Sequence, residues 1–297
     1  MGRRHLLGLC VGTSSDVAEN SGCAEFRRGA EMSVRAGSRD LAEIRERISG
    51  RDLAILGMIS DLHLMSGRQI EMMFFAAEMH VSLSSASRTA RRVMSRLARE
   101  RLLVRLDRQI GGVRAGSKSF IYCLGPVGHR LLNLSDPRPR YREPSIQFIE
   151  HTLAVTELLV QVTEATRRDR CELIRWQSEP RCWRAFNTAG GRTTLRPDLF
   201  LALGVGDYEY RFFIEVDRNT EHLPTIVRKA KLYDSYYRSG REQSRDGLFP
   251  SVLFITSDVK RSELITRSLQ QVRGLTPGLL TAVHQDDALQ ALLGGKQ

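Results

Sequence analysis

Long hydrophobic runs are missing from this sequence, and so is the cysteine spacing of a metal-binding finger. No stretch of about 18 apolar residues occurs, so the sequence predicts no membrane-spanning helix and no membrane partner. The five cysteines form no Cys-x-x-Cys pair and no Cys/His set at zinc spacing. We therefore expect reduced thiols in a cytoplasmic protein. The cysteines are Cys10, Cys23, Cys123, Cys171 and Cys182.

Positive charge, in contrast, is abundant and concentrated in one segment. The 297 residues carry a net charge of +11. Residues 81–142 hold 14 lysines and arginines against 3 acids, so this segment alone accounts for the whole excess. Such a block is typical first of a nucleic-acid surface and second of an anionic-membrane surface, while a solvated arginine-rich face is the plain alternative. We favour double-stranded DNA as the partner.

The length allows two domains at about 100–200 residues each. Residues 1–40 lack periodicity and are predicted to be a disordered leader, with Met32 as an alternative start. Residues 41–134 are predicted to form the first domain and residues 145–297 the second. The Pro/Arg-rich residues 135–144 between them have little helix or strand potential and are predicted to be a linker.

The first domain has the element order of a winged helix-turn-helix. Helical spacing begins at Asp52, and a capping box of Ser66 and Gln69 opens a second helix that runs through Phe75. A third helix extends to about Arg99, and a β-hairpin with a basic, glycine-rich tip follows. A short helix over residues 127–134 closes the domain.

The third helix is the predicted recognition helix. Its apolar residues, including Ala86, Ala90 and Leu97, fall on one face, and its polar residues fall on the other. Short polar residues near its N-terminal end suit contact with base edges, while the hairpin tip suits contact with backbone phosphates. The candidate DNA-binding residues are Ser85, Arg88, Arg91, Arg92, Arg96 and Arg99 on the helix, and Arg114 and Lys118 on the wing.

The second domain is predicted to have the order α-β-β-β-α-β-α-β. A long amphipathic helix begins at Ser145, and strands both precede and follow the later crossover helices. This order predicts a mixed sheet with helices on its faces. The fold class is therefore α+β or α/β with two domains.

Acidic residues cluster at the ends of two strands of this second domain. Pro197-Asp198 opens one strand, predicted over residues 195–203, and Glu215-Val216-Asp217 ends the next. Clustered carboxylates are costly unless a cation compensates them, and a divalent ion can also bind phosphate oxygens and activate water. The plain alternative is a turn former or a surface ion pair, for example Asp217 with Arg218 or Arg211.

These residues resemble the motif of the PD-(D/E)xK nuclease superfamily. The resemblance implies a restriction-endonuclease-like fold in which Asp198 and Glu215 bind Mg²⁺, with Glu150 on the first helix as a third acid. The lysine of the motif should lie two residues after the glutamate, where this chain has Asp217. Some members move that lysine to the next helix, where Lys229 and Lys231 are available. The candidate catalytic residues are Asp198, Glu215, Asp217, Lys229 and Lys231.

The chain as a whole resembles the replication-relaxation family of actinobacterial and plasmid-borne proteins. The residues that carry the resemblance are the winged-helix half, residues 151–157, Arg196-Pro197-Asp198, residues 213–221 and residues 229–233. That family is associated with plasmid replication and with relaxation of plasmid DNA. The resemblance implies a nucleoid- or plasmid-associated protein, with a homodimer and replication or mobilisation proteins as further candidate partners.

Two further residue sets have an ordinary and a functional interpretation. His151 on an apolar helix is more often a hydrogen-bonded core histidine than a ligand or base. Tyr233, Tyr236 and Tyr237 have helical spacing typical of packing residues, although base stacking or nucleophilic attack is the functional alternative. The sequence lacks the histidine cluster that a tyrosine relaxase uses for its metal.

Two hypotheses for the whole protein follow. In the first, the basic domain docks on duplex DNA and the second domain cleaves or nicks it with Mg²⁺. In the second, the protein is a non-catalytic replication or transcription factor, and its nuclease-like domain is degenerate. Retention of the three acids favours the first hypothesis, while the missing lysine favours the second.

Overall fold

The computed structural model describes residues 38–75, 83–110, 119–132, 144–188 and 190–294. Within these ranges the protein has the predicted mixture of helices and sheets. The helices are α1 (Ser38–Arg47), α2 (Gly50–Leu62), α3 (Gly67–Phe74), α4 (Leu83–Arg99), α5 (Pro126–Leu131), α6 (Ile146–Arg167), α7 (Leu223–Arg238), α8 (Arg241–Asp246), α9 (Val259–Gln271) and α10 (Ala288–Leu293). The strands are β1 (Leu64–Ser66), β2 (Leu103–Ile110), β3 (Ser119–Leu124), β4 (Glu172–Ser178), β5 (Arg184–Thr188), β6 (Gly191–Leu195), β7 (Leu199–Val205), β8 (Tyr208–Asp217), β9 (Ser251–Thr256) and β10 (Leu280–His284).

Helices α2 to α4 and a small antiparallel sheet make up the N-terminal half. The predicted capping box at the start of α3 is present, since the Ser66 hydroxyl accepts from the Gln69 N–H and the Gln69 side chain accepts from the Ser66 N–H. The predicted β2–β3 hairpin is also present. Strand β1 adds to it in the order β1-β3-β2. Three residues are too few to show an alternation pattern, so the sequence did not predict β1.

Helix α4 has the predicted two-faced character. Ala86, Ala90 and Leu97 are almost fully buried, while Arg88 and Arg92 on the opposite side are exposed. The burial follows from the 3–4 spacing of the apolar residues, which places them on one side of the helix. The basic side of α4 is therefore presented to solvent.

Parts of three predicted segments lie outside the described residues. These are most of the leader, the tip of the hairpin with Arg114 and Lys118, and nearly all of the linker. Helix α1 begins at Ser38, so residues 38–40 of the predicted leader are helical.

The C-terminal half contains the predicted mixed sheet, with the strand order β10-β9-β8-β7-β4. Strand β7 pairs antiparallel with β4 and β8, while β9 pairs parallel with β8 and β10. Helices α7 and α9 pack on one face, against a core that includes Phe213, Tyr233 and Ile265. Helix α6 packs on the other face through residues such as Leu159.

The predicted strand over residues 195–203 is wrong in one respect. Strand β6 ends at Leu195, and β7 begins only at Leu199. Pro197 between them has no N–H and cannot donate to a sheet ladder. The chain therefore leaves the β5–β6 hairpin there and enters the main sheet at Asp198, whose N–H donates to the Ile214 carbonyl at 2.9 Å.

One hydrophobic core is continuous across the two halves of the chain. Residues of α2 to α5 belong to the same buried cluster as residues of α6, β7, β8 and β9. Polar contacts cross the same boundary: Gln69 Nε2 donates to the Leu153 carbonyl at 2.9 Å, and Ser178 Oγ donates to the Asp61 carbonyl at 2.6 Å. The position of the basic helix relative to the mixed sheet is therefore fixed by packing.

Among the described residues, no helix has both the length and the apolar character needed to cross a bilayer.

The shared core makes a prediction about unfolding. Leu159 is fully buried where α6 meets both halves, so Leu159→Ala should lower the free energy of unfolding by about 2–5 kcal/mol. We expect a single transition when urea unfolding is followed by circular dichroism and by tryptophan fluorescence, and the variant should shift both signals together. Leu264→Ala, on the exposed side of α9, is the control and should change stability little. Separate transitions for the two signals would contradict a common core.

Candidate functional site

Three acids form a row across neighbouring strand ends of the mixed sheet. Leu199 lies opposite Ser178 in the β4–β7 pair and opposite Ile214 in the β7–β8 pair. The next position in each antiparallel register places Glu179 beside Asp198, and Asp198 beside Glu215. Side chains of directly opposed residues lie on the same face of a sheet. The strand register therefore brings the three carboxylates together.

Asp198 is the central and most tightly held acid of this row. Its Oδ2 accepts from the Val216 N–H at 2.7 Å, and its Oδ1 lies 3.2 Å from Nε2 of His151 on α6. With its own N–H bonded to β8, Asp198 is anchored to that strand at two points. Only 9% of the residue is exposed.

His151, Glu179 and Asp198 together form a cluster that has the geometry of a metal site. Each offers one ligand atom, and these atoms lie within 4.8 Å of one another. His151 is hydrogen-bonded, as the ordinary interpretation expected, but its partner is Asp198 at the end of the sheet. Glu179 was not predicted. The available signal was a glutamate directly before Pro180, at the end of a strand that neighbours Asp198.

Glu215 receives its partners from α7. Its Oε2 accepts from Lys229 Nζ at 2.8 Å and its Oε1 accepts from the Tyr233 hydroxyl at 2.6 Å. Lys229 and Tyr233 are four residues apart and so share one face of the helix. Lys229 Nζ also pairs with Glu221 Oε1 at 2.7 Å. The structure thus brings a lysine from the next helix to Glu215, while Lys231 on the same helix is exposed.

The electrostatics of the row follow from burial and like charge. Burial and the negative charge of Asp198 raise the pKa of Glu179 to about 7 and that of Glu215 to about 7. Burial acts in the same direction on Asp198, but the hydrogen bond and charge of His151 outweigh it and leave the pKa of Asp198 below its ordinary value. The hydrogen bond to Asp198 raises the pKa of His151. Asp198 is therefore the carboxylate most firmly kept ionised.

Two of the predicted site acids are engaged elsewhere. Asp217 forms an ion pair, as the plain alternative expected, but its Oδ2 pairs with Arg261 Nε of α9 at 2.6 Å rather than with Arg218 or Arg211. Glu150 pairs with Arg218 at 3.2 Å. Among the described residues, the cluster that could hold a metal ion includes the neighbouring His151 and not Glu150.

The packing interpretation of the tyrosines on α7 is confirmed. Tyr233 is fully buried, and Tyr236 is 4% exposed with its hydroxyl bonded to Glu242. Tyr237 packs edge-on against Phe249. Burial raises the pKa of the Tyr233 hydroxyl well above its ordinary value, and Glu215 raises it further. A buried, protonated phenol that donates to a carboxylate is poorly suited to nucleophilic attack.

The candidate DNA-binding residues on α4 differ in availability. Arg88, Arg91, Arg92 and Arg99 are exposed, and Ser85 is half-buried. Arg96 is half-buried as well and pairs with Asp52 at 2.8 Å and with Glu100 at 3.5 Å. It is thus the least available arginine of the set. Arg114 and Lys118 lie outside the described residues.

Comparison with known proteins gave one match. A sequence model of the replication-relaxation family matches residues 56–252, which cover 197 of the 297 residues. Comparisons with curated proteins and with solved structures gave no match.

The raised pKa of Glu179 makes a prediction about stability in metal-free protein. Because its pKa is raised from 4.5 to about 7 in the folded state, Glu179 stabilises the fold at low pH, and this contribution is lost as pH rises through about 7. Glu179→Gln cannot ionise. We therefore expect it to be more stable than wild type at about pH 8 by on the order of 1 kcal/mol, a value reduced from the full shift because Glu179 is partly exposed to solvent.

Urea unfolding in EDTA at about pH 5 and about pH 8 measures this difference. Glu172→Gln, at the other and exposed end of β4, is the matched control and should show no such dependence on pH. If Glu179→Gln were less stable than wild type at the higher pH, burial and repulsion would not govern this carboxyl group.

Proposed function

The chain belongs to the replication-relaxation family, and on that premise we propose that it is a DNA-binding protein that hydrolyses DNA phosphodiester bonds with a divalent metal ion. The observation that carries the proposal is the row of Glu179, Asp198 and Glu215, with His151 and Lys229 directed at it from two helices. Buried acids with pKa values pushed apart, beside a lysine, are typical of catalytic sites rather than of structural ones. The role in replication or relaxation of DNA comes from the family.

The N-terminal half supports the DNA-binding part of this proposal. Helices α2 to α4, followed by the β2–β3 hairpin and completed by β1, have the order and sheet pairing of a winged helix. Arg88, Arg91 and Arg92 lie exposed on α4, where a recognition helix contacts the major groove. The continuous core would hold that helix in a constant relation to the row of acids.

The donor set fits a divalent cation. His151 would supply an imidazole nitrogen, and Glu179 and Asp198 would supply carboxylate oxygens. Mg²⁺ prefers oxygen ligands alone, whereas transition-metal ions readily accept imidazole. We therefore propose that Mn²⁺ binds this site more tightly than the Mg²⁺ expected from sequence. When bound, such an ion polarises a phosphate oxygen and lowers the pKa of water.

The residues of the chain itself would then act on the substrate. Lys229, one third exposed, offers a fixed positive charge that would stabilise the negative charge developing on the phosphate. Glu215 orients this lysine, because its Oε2 accepts from Lys229. Tyr233 in turn holds Glu215 in place, because its hydroxyl donates to Oε1. Before an ion binds, Asp198 keeps His151 oriented through its Oδ1.

A second candidate function has a specific observation in its favour. Lys229 is bonded to two carboxylates, and the position of the usual motif lysine is occupied by Asp217, which Arg261 neutralises. A protein with these pairs in place of a free catalytic lysine could use the nuclease-like half only for partners or dimerisation, as a non-catalytic replication or transcription factor.

Metal binding and cleavage separate these two functions. We expect calorimetry to show binding of one Mn²⁺ per chain to wild type and its loss in Asp198→Asn and His151→Gln, since each removes a ligand. Glu150→Gln should bind normally, because Glu150 pairs with Arg218 instead.

Wild type and Glu150→Gln should then nick supercoiled plasmid with Mn²⁺, while Asp198→Asn should not.

Binding of Mn²⁺ without cleavage would favour the non-catalytic function, and unchanged binding by Asp198→Asn would remove the metal centre altogether. Mg²⁺ and Zn²⁺ run in parallel establish the choice of ion.

The exposed arginines of α4 give a separate prediction about DNA binding. Arg88→Ala/Arg92→Ala should weaken binding to duplex DNA about tenfold or more and reduce the dependence of log K on log salt by about 2, because two phosphate or base contacts are lost. Fluorescence anisotropy in EDTA measures both quantities. The control is Arg168→Ala/Arg170→Ala, which removes the same charge at two exposed residues just before β4. Equal affinities for the two double variants would exclude α4 from the interface.

A further inference from the structure

A second basic surface lies in the C-terminal half, in a cleft of about 520 Å³ between β5 and α8. Trp183 and Arg184 line one side of this cleft, and Arg241, Ser244 and Arg245 line the other. This cleft is far along the chain from the arginine-rich segment of residues 81–142, and its charge was not apparent in the sequence.

The cleft carries positive charge without a matching exposed acid. Arg241 is exposed and has no ion pair among the described residues. Arg245 is about half exposed, and its nearest acid, Asp246, lies at 3.8 Å while contacting Arg175 at 3.3 Å. None of the lining residues of the cleft is acidic. Arg241, the loosely paired Arg245 and the Ser244 hydroxyl can thus receive an anion.

Arg184, in contrast, belongs to the wall of the cleft. It is 5% exposed, and its Nε donates to Glu242, which also accepts from the Tyr236 hydroxyl. This neutral, buried group gives α8 a rigid attachment to β5. The exposed arginines Arg241 and Arg245 are therefore held on a fixed support.

A cation–π contact between an arginine and a tryptophan, called the stack below, lies at the edge of the same cleft. The guanidinium group of Arg196 lies 4.6 Å from the centre of the Trp183 ring, which is half-buried. Tryptophan rings and arginine planes are the groups on which unpaired bases stack, and a basic groove beside them is typical of single-strand binding. The stack and the two exposed arginines together match an unpaired nucleic-acid strand better than a small anion.

The stack also borders the proposed metal centre. Arg196 is two residues before Asp198, and Trp183 is four residues after Glu179. The two short segments are tied to each other, since Cys182 Sγ donates to the Pro197 carbonyl at 2.9 Å. A strand bound on the stack would therefore lie close to the row of acids.

We propose that this surface binds an unpaired DNA strand beside the metal centre, with its phosphates on Arg241 and Arg245 and a base against the Trp183–Arg196 stack. This inference rests on the proposed function, because it names the form in which DNA enters that site. Duplex DNA would be held by α4, and a locally opened strand would be led past Trp183 to Asp198.

Binding to labelled oligo-dT, measured by anisotropy in EDTA so that no cleavage occurs, tests the proposal. Arg241→Ala/Arg245→Ala should weaken binding at least about fivefold and reduce the salt dependence by about 1.4, which corresponds to two phosphate contacts on a single strand. Arg168→Ala/Arg170→Ala is again the control of equal charge. Affinity for oligo-dT equal to that of the control would overturn the proposal.

Trp183 provides a second and independent readout. The chain has two tryptophans, so Trp176→Phe leaves Trp183 as the single emitter. We expect oligo-dT to quench its fluorescence at saturation, and unchanged emission at saturation would overturn the stacking part. If single-strand binding falls only in Arg88→Ala/Arg92→Ala, the inference fails while the proposed function stands. If wild type binds neither duplex nor single strand, the proposed function fails first.

Discussion

Repulsion among three carboxylates placed side by side is the constraint on which the arrangement of this protein depends. The register of β4, β7 and β8 puts Glu179, Asp198 and Glu215 next to each other at the end of the sheet. Like charges in a partly dry site are costly unless each is compensated. His151 compensates Asp198 from one face of the sheet, and Lys229 compensates Glu215 from the other. Helices α6 and α7 are therefore tied to the same three strand ends by charge as well as by apolar packing.

Helix α6 also connects the two halves of the molecule. One part of its surface presents His151 to the acids, while Leu153 and Leu159 belong to the cores shared with α3, β1 and β3. A shift of the N-terminal half would therefore move the histidine relative to Asp198. If the N-terminal half binds DNA as proposed, its position and the geometry of the acids are mechanically linked through one helix.

The sequence predicts the individual helices and strands of this fold better than it predicts the contacts between them. Periodicity and capping residues were sufficient for α3, α4, α6, α7 and the mixed sheet, because those signals are local. The residues around Pro197 were predicted as one strand because the apolar pattern runs through them, although proline cannot continue the ladder. Asp198, Glu215 and Lys229 were identified from their motif. Glu179 was missed, because a single glutamate becomes significant only when the strand register is known.

The same limit explains His151 and Glu150. Adjacent residues on a helix differ by about 100° in direction, so the sequence alone could not decide which of the two faces the sheet. The structure directs His151 to Asp198 and Glu150 to Arg218. The side chain of α6 that lies beside Asp198 therefore carries a ring nitrogen, and the carboxylate of Glu150 lies beside Arg218.

The Asp217–Arg261 pair has a consequence for how such a site can vary. In a motif with its lysine on the strand, one strand end must supply both the acid and the cation. Here Lys229 of α7 supplies the cation beside Glu215, so the residue two positions after Glu215 does not have to be a lysine. Asp217 at that position fastens α9 to the sheet, with Arg261 also donating to the Glu221 carbonyl. The Asp217–Arg261 pair thus anchors α9 at the same end of the sheet as the row of acids, although neither residue belongs to that row.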